Sequence, residues 1–404
     1  PLFNGTRVIL CALASRGTST GRAVGLCTRE HYARRIAGAA AGVLHHLALT
    51  TIGRLTSYAD PHVKLLLFVV LCLVALAVVG FALAIALGGP HHPAPMKSIN
   101  EPFAQVDFSD LPPTSFFTAR DGTSLAYRAY MPPGVPSAGS VILVHGSAGN
   151  GASMHVLAKS FAAAGFSTYA LDERGHGRSG PRGDIAYIGQ LEDDLEDFVR
   201  ATRPVEPATL VGFSSGGGFV LRFAGSSRQR LFSGYVLLSP FLGPEAPTQR
   251  TGSGGWVSIG LARYVAIATL HGWGIRLFDH LPVLRFAVID DPRADLTPQY
   301  SFALAQNFRP EQDYLANIRA VQRPMAVVAG LEDEVFFTVK LPPVFQSHGT
   351  NVPVTLLPGV GHIGLTLDPV AVRAVVSAVR ALYRDKPQNI ALLQTNGDAS
   401  GNPH

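Results

Sequence analysis

The sequence predicts an α/β fold in which a mostly parallel sheet of eight strands is covered by helices on both faces. Short apolar runs alternate with helical patterns from residue 114 onward, and a hairpin pattern precedes them. Strands that alternate with helices form parallel sheets, and strands buried on both faces read as continuous apolar runs. Since 47% of the 404 residues are hydrophobic, the chain can bury the large core that this fold needs.

The first two strands are predicted to form a hairpin, because Ser115 to Ala119 and Ser124 to Tyr130 flank the turn dipeptide Asp121-Gly122. Helical stretches such as 152–164 and 191–202 lie between the later strands. Six apolar runs suit buried parallel strands, at 140–144, 167–171, 208–211, 234–238, 325–329 and 354–357. In such sheets ligands bind at the carboxyl ends of the strands, so the loops there are the expected position of a functional site.

The chain divides into six predicted segments. They are a basic N-terminal segment (1–64), an apolar segment (65–87), a linker rich in Pro and His (88–113), the α/β core (114–240 and 310–384), an insertion after the sixth strand (241–309) and a polar tail (385–404). The N-terminal segment, which is largely polar, small and irregular, and the polar tail are both expected to be poorly ordered.

The apolar segment predicts one transmembrane helix. Leu65 to Leu87 carries no charge, and at about 1.5 Å per residue it can cross a hydrocarbon core of about 30 Å. Residues 1–64 hold eight Lys and Arg against two acidic residues, which favours a cytoplasmic N-terminus. The large domain is therefore expected on the non-cytoplasmic side, periplasmic or extracellular. A cleaved signal peptide, which would leave a secreted domain, is the alternative.

Charge and cysteine usage exclude several classes of function. The net charge of +5 comes from the N-terminal segment, because the rest of the chain holds 25 basic against 26 acidic residues. A nucleic-acid partner is not expected, since the core has no basic cluster. Cys11, Cys27 and Cys72 all precede the core, which therefore has no disulfide and no thiol nucleophile. The sequence shows no H-E-x-x-H, no Cys/His ligand set and no phosphate-binding glycine loop, so neither a metal nor a cofactor is predicted.

The most informative motif is Gly212-Phe213-Ser214-Ser215-Gly216, which lies between a strand pattern and a helical pattern. A strand, a sharp turn and a helix with serine at the turn form a nucleophile elbow, and its glycines leave room for close backbone approach. Ser214 is therefore the candidate nucleophile. The alternative is that Ser214 only caps the helix.

Four further motifs follow predicted strands in a fixed order. They are Val144-His145-Gly146-Ser147, Leu171 to Ser179 (with the pattern D-x-R-G-H-G-x-S from Asp172), Gly330-Leu331-Glu332-Asp333 and Gly361-His362. Together with the elbow they resemble the α/β-hydrolase family from about Phe116 to Tyr383. The D-x-R-G-H-G-x-S loop looks like the monoglyceride lipase and lysophospholipase branch.

The resemblance implies a catalytic triad of Ser214, Asp333 and His362, in the chain order that this fold uses. Glu332 and Glu334 are rivals for the carboxylate, and the family pattern selects Asp333. The resemblance also implies an oxyanion hole built from the backbone N–H groups of Ser147 and Ser215.

The same resemblance gives His145 and His176 a role in bracing their loops. Asp172 and Arg174 are expected to pair with each other across one of these loops, which would be a structural role.

The predicted function is that of a serine hydrolase that cleaves carboxylic esters, of lipid or monoacylglycerol type, through an acyl-enzyme. An amidase or aminopeptidase of the same fold and a non-catalytic binding protein are the alternatives. The insertion is predicted to be a helical lid, on the apolar pattern Trp256, Ile259, Tyr264, Ile267, Leu270, Trp273 and 281–288. These residues are expected either to pack on the sheet or to form an acyl-chain pocket or lipid-facing surface. The oligomeric state is not predicted.

Overall fold

A computed structural model describes residues 60–134, 137–289, 294–346 and 352–384. Most of the basic segment, with Cys11 and Cys27, and the predicted tail at 385–404 lie outside the described residues. The described residues divide into two units, with the boundary between Ala86 and Leu87.

The described part of the first unit is helix α1, Pro61–Leu87. This helix of 27 residues is mostly apolar and is long enough to cross a membrane, and a signal sequence would meet the same criterion. The apolar helix predicted from the sequence is therefore present. Its role as an anchor stays a prediction.

The described residues of the second unit contain eleven strands. They are β1 Thr114–Thr118, β2 Ser124–Tyr130, β3 Ser140–Val144, β4 Ser167–Leu171, β5 Ala208–Phe213, β6 Gly234–Leu238, β7 Val257–Ile259, β8 Pro282–Phe286, β9 Gln299–Ser301, β10 Met325–Gly330 and β11 Val354–Leu357. Eight of them form one sheet in the order β1-β2-β4-β3-β5-β6-β10-β11. The predicted hairpin is confirmed, with Phe116 opposite Ala126, and the strands from β3 onward in this sheet run parallel.

Helices cover both faces of this sheet. Every residue of β3, β5, β6 and β10 is buried, and successive side chains of a strand point to opposite faces, so both faces must be covered. The helices of the second unit are α2 Lys97–Asn100, α3 His155–Ala163, α4 Gln190–Thr202, α5 Ser215–Ala224, α6 Leu261–Gly272, α7 Phe302–Asn307, α8 Tyr314–Ala320, α9 Leu341–Gln346, α10 Gly364–Leu367 and α11 Pro369–Arg384.

The insertion at 241–309 is only partly helical, which corrects the prediction of a helical lid. It contains α6 and α7, but it also contains a three-stranded antiparallel sheet of β7, which precedes α6, and β8 and β9, which lie between the two helices. Ile259 ends β7, and most of the run 281–288 is β8. Strands of three to five residues are too short for their alternation to be distinguished from helical spacing.

Segment 88–113, expected to be a linker, is folded against the insertion. It contains α2 and a 3₁₀ turn at Glu101–Gln105. The Met96 N–H donates to the carbonyl oxygen of Ala287 at 2.9 Å, and the His91 ring is 2.7 Å from the Ser258 hydroxyl. The segment is therefore part of the globular domain.

Candidate active site

Ser214 lies in a turn that leaves no room for a side chain two residues before it or two residues after it. The serine joins β5 to α5 with φ 56° and ψ −119°, an unusual conformation for a residue with a side chain. A Cβ on Gly212 would lie 2.3 Å from the carbonyl oxygen of Gly216, and a Cβ on Gly216 would lie 2.2 Å from that of His145. The two glycines thus allow the strained turn that presents the hydroxyl.

Three side chains predicted from the sequence meet in one hydrogen-bonded chain. His362 Nε2 lies 3.0 Å from Ser214 Oγ, and His362 Nδ1 lies 2.7 Å from Asp333 Oδ2. All three residues are buried. When Nδ1 carries the proton that Asp333 accepts, Nε2 is free to accept the proton of the serine hydroxyl.

The loop after β10 fixes the Asp333 carboxylate and sets its charge. Asp333 Oδ1 accepts the N–H groups of Val335 and Phe336, both at 2.8 Å. Burial by itself raises the pKa of this carboxyl, yet the facing His362 and the hydrogen bonds hold the pKa below its ordinary value. Asp333 is therefore ionised beside the imidazole.

The two rival carboxylates occupy other positions. Glu334 Oε2 accepts the backbone N–H of His362 at 3.0 Å, so it holds the loop and not the ring. Glu332 is exposed. Of the three neighbouring acids, only Asp333 hydrogen-bonds to the imidazole.

The two backbone N–H groups expected in an oxyanion hole belong to residues at the site. Ser215 is the first residue of α5, and Ser147 lines the same cavity as Ser214 and His362. Among the hydrogen bonds of the described residues, neither N–H donates to another protein group. Both are available for an oxygen atom bound beside Ser214.

The insertion holds the 145–150 loop through hydrogen bonds that the sequence did not predict. Trp256 Nε1 donates to Ser147 Oγ at 2.9 Å, and the Ala148 N–H donates to the Tyr300 hydroxyl at 2.8 Å. The Thr297 N–H donates to the carbonyl oxygen of Ala148 at 2.9 Å. Ala148 has a positive φ of 63°, so these bonds stabilise a conformation that alanine rarely adopts. The sequence pointed to these hydrogen bonds only through the presence of a tryptophan and a tyrosine, whose polar atoms need hydrogen-bond partners when they are buried.

His145 and His176 brace the loops behind the site, as the resemblance implied. His145 Nε2 accepts the Glu173 N–H at 3.2 Å, and His176 Nε2 lies 2.5 Å from the Tyr300 hydroxyl. Burial lowers the pKa of both imidazoles, that of His176 to well below its ordinary value. They are therefore neutral structural groups at physiological pH.

The expected pairing of Asp172 with Arg174 is wrong. Arg174 makes a two-pronged ion pair with Asp194 on α4, at 2.7 Å for each hydrogen bond, and also binds Asp121. Asp172 accepts the backbone N–H groups of Gly151 and Arg178. Arg174 points towards α4, where the buried Asp194 needs a cation, and Asp172 stabilises the two turns beside it.

An apolar cavity of about 320 Å³ opens on Ser214 and His362. Its walls come from segment 97–111, from the core loops and from the insertion, which contributes Trp256, Val288 and Leu296. On its other side, His362 borders a wider polar cleft lined by charged residues that include Lys97, Lys159 and Asp368. The imidazole thus stands between an apolar and a polar space.

No group of three or more His, Cys, Asp or Glu in the described ranges is arranged to hold a metal ion.

Comparison with known proteins identifies the family. The serine aminopeptidase, S33, family matches residues 136–362, more than half of the 404-residue chain. The chain belongs to this α/β-hydrolase family. The resemblance predicted from the five motifs is confirmed.

Two curated relatives are similar in sequence to parts of this S33 family member. A monoacylglycerol lipase of Mycolicibacterium smegmatis is 35% identical over 130 residues, which cover 31% of this chain and 45% of the relative. A non-heme chloroperoxidase of Kitasatospora aureofaciens is 34% identical over 122 residues, 30% of this chain and 42% of the relative. The chain thus matches less than half the length of each.

A solved structure supports the fold. A soluble variant of the Saccharomyces cerevisiae monoglyceride lipase, in complex with a substrate analogue, matches with a TM-score of 0.51 and 17% identity. The match covers 68% of this chain and 96% of that protein. This likeness supports the α/β-hydrolase fold that the family match identifies.

Proposed function

We propose that this protein is a serine hydrolase that cleaves esters of an apolar acyl chain through an acyl-enzyme on Ser214. The observation that carries the proposal is the hydrogen-bonded chain from Ser214 through His362 to Asp333, which opens on an apolar cavity. A hydroxyl, an imidazole and an ionised carboxylate in this order are the groups that acyl transfer by serine requires.

In the proposed reaction Ser214 Oγ attacks the ester carbonyl carbon while its proton passes to His362 Nε2. The carbonyl oxygen becomes an oxyanion that accepts the N–H groups of Ser147 and Ser215. The tetrahedral intermediate expels the alcohol, which takes the proton from Nε2, and an acyl ester remains on Ser214. Water then repeats the sequence with His362 as base, which releases the carboxylic acid.

The cavity favours an apolar acyl group over a peptide substrate. An aminopeptidase must hold a charged α-amine close to the reacting carbonyl, for which a carboxylate is the natural partner. Among the residues that the structure describes, none of those that line the cavity is an Asp or a Glu. The charged residues lie in the polar cleft on the other side of His362, where a polar alcohol would leave.

The membrane is the proposed partner of α1. If this helix is an anchor, the catalytic domain lies on the non-cytoplasmic side, and it faces the same compartment if the helix is a cleaved signal. The substrate class proposed here, a lipid ester of monoacylglycerol type, fits either case.

Hydrolysis of paired substrates tests the proposal. We expect the purified protein to hydrolyse p-nitrophenyl octanoate at least about 100-fold faster, by kcat/KM, than leucine p-nitroanilide, with Ser214→Ala giving the background rate. Faster cleavage of the anilide would favour the aminopeptidase alternative. Failure to hydrolyse either substrate, with no reaction of Ser214 with a fluorophosphonate, would favour a non-catalytic binding protein.

A further inference from the structure

One wall of the cavity comes from a part of the chain that precedes the family match. Residues 97–111, the wall segment, lie before β1, whereas the S33 match begins at residue 136. Four apolar residues of this segment line the cavity that contains Ser214 and His362. They are Ile99, Phe103, Phe108 and Leu111. The core motifs therefore do not determine this side of the cavity.

The wall segment is fixed to the insertion near its first residues. Asn100 Nδ2 donates to the carbonyl oxygen of Ala287 at 2.9 Å, and the Ile289 N–H donates to Asn100 Oδ1 at 3.1 Å. The side-chain amide of Asn100 thus hydrogen-bonds to the backbone of two residues that follow β8. This places the buried Ile99 beside Val288 and Ile289, which also line the cavity.

The other end of the wall segment is fixed to the core. Asp110 lies 2.9 Å from His155 Nε2 and 2.5 Å from Lys159 Nζ, both on α3. The Phe108 ring packs near the His155 ring, with centroids 5.9 Å apart. Because both ends are held, the wall segment has a defined position and limits the space in front of Ser214.

The size of the cavity limits the length of an acyl chain that can be enclosed in it. A volume of about 320 Å³, at roughly 30 Å³ for a group the size of water, holds on the order of ten methylene-sized groups. Few polar atoms line the cavity away from Ser214 and the 145–150 loop, so a flexible alkyl chain fits better than a sugar or a peptide.

We propose that the wall segment is the specificity element of this hydrolase and restricts it to medium-chain acyl esters of about eight to ten carbons. The proposal rests on the proposed function, since it names the acyl group of the same site. A larger side chain in the wall segment should shorten the acyl chain that fits the cavity. Removal of an aromatic ring from the wall segment should admit a longer acyl chain.

The test is the chain-length profile of kcat/KM for p-nitrophenyl esters from acetate to palmitate. For the unaltered full chain we expect a maximum at about eight to ten carbons. Ile99→Trp should lower the ratio of decanoate to butyrate hydrolysis by about tenfold or more, and Phe103→Ala should raise the ratio of palmitate to decanoate hydrolysis about tenfold. Phe116→Ala removes an exposed ring on β1 that does not line the cavity, and it should leave both ratios unchanged.

The rate of labelling by a short-chain fluorophosphonate shows whether each variant keeps a working Ser214. Variants that label normally but retain the unaltered profile, within about twofold, would overturn the role of the wall segment and leave the proposed function intact. If Ile99→Trp fails to fold, the chain-length profile of Phe103→Ala still tests the role of the wall segment. Absence of both hydrolysis and labelling in the unaltered protein would overturn the proposed function and this proposal together.

Discussion

The core and the two segments added to it contribute to the site in different ways. Ser214, His362 and Asp333 follow β5, β11 and β10 of the central sheet, and close backbone contacts at the elbow fix the position of the serine. The wall segment and the insertion supply the apolar surface around these groups, and hydrogen bonds that involve Asn100, Trp256 and Tyr300 help to hold them there.

This difference indicates a division of roles. Acyl transfer depends on distances of about 3 Å between reacting groups, which only the rigid sheet and its tight turns can maintain. An alkyl chain is recognised by volume and apolar surface, which side chains on added segments can supply. Substitutions in the core should therefore remove catalysis for every ester, whereas substitutions in the added segments should change rate or selectivity.

The largest expected effect is that of His362→Ala. Loss of the base should lower kcat by about 10⁴-fold or more for both short-chain and long-chain esters. The insertion offers a matched control, because His271 Nδ1 also lies 2.7 Å from a carboxylate, that of Asp279, but is hydrogen-bonded to no serine in the part of the chain that the structure describes. His271→Ala should stay within a few-fold of the unaltered rate. Equal losses of activity in His362→Ala and His271→Ala would mean that the loss comes from impaired folding and not from removal of a catalytic base.

Asp333→Asn tests the orientation of the imidazole. The amide cannot stabilise the imidazolium, so kcat should fall by about 10² to 10⁴-fold while KM changes little. Asp279→Asn is the matched control. A loss smaller than about fivefold would show that Asp333 does not act in the reaction and would reopen the choice of Glu334.

Trp256→Phe tests whether the insertion positions the 145–150 loop. The substitution keeps a buried ring but removes the N–H that binds Ser147 Oγ, so we expect kcat to fall about tenfold through displacement of the oxyanion donor. KM for an ester should remain within about twofold, while affinity for a trifluoromethyl ketone, which forms the oxyanion, should fall in parallel with kcat.

The other tryptophan of the chain gives the control for this prediction. Trp273→Phe changes an exposed ring on the insertion and should leave kcat, KM and the affinity for the trifluoromethyl ketone unchanged. A change in KM without a change in kcat for Trp256→Phe would assign that residue to the acyl pocket alone.

The smallest expected effect concerns a buried carboxyl that the proposed reaction does not use. Burial, with Asp194 and other acids nearby, raises the pKa of Glu173 well above its ordinary value, and its Oε1 has no hydrogen-bond partner among the described residues. Because the folded protein binds this proton more tightly than the unfolded chain, Glu173 contributes stability at low pH. That contribution is lost as the pH rises from about 4.5 through the folded-state pKa.

Glu173→Gln mimics the neutral carboxyl at every pH. We expect the Tm of the variant, measured by circular dichroism, to exceed that of the unaltered protein by a few degrees at pH 8 and to approach it at pH 5. The exposed Glu245→Gln should show no such dependence. A Tm difference that is constant with pH would contradict a neutral Glu173.

The sequence predicted the core better than the added segments, for physical reasons. Six apolar runs and one hairpin coincide with the strands of the large sheet to within a residue or two, because buried parallel strands have an unmistakable composition. Ser214 was predicted from the strand end and tight turn that surround it. Asp333 and His362 each follow a predicted strand, but the resemblance to the α/β-hydrolase family was needed to select them.

The features that were not predicted depend on contacts between residues far apart in the chain, and no local pattern in a single sequence indicates such contacts. Arg174 pairs with Asp194, twenty positions away, and not with its neighbour Asp172. The wall segment resembles a linker because its helix has only four residues, and its position depends on hydrogen bonds to Ala287 and Ile289. Trp256 and Tyr300 gave no more signal than any buried aromatic residue.

Mapping the adduct of a fluorophosphonate probe by tandem mass spectrometry tests the central claim most directly. The account predicts a single adduct on Ser214, much slower labelling in His362→Ala, and normal labelling in Ser215→Ala, because Ser215 acts through its backbone N–H. An adduct on another serine, or labelling of Ser214 that does not depend on His362, would contradict the account.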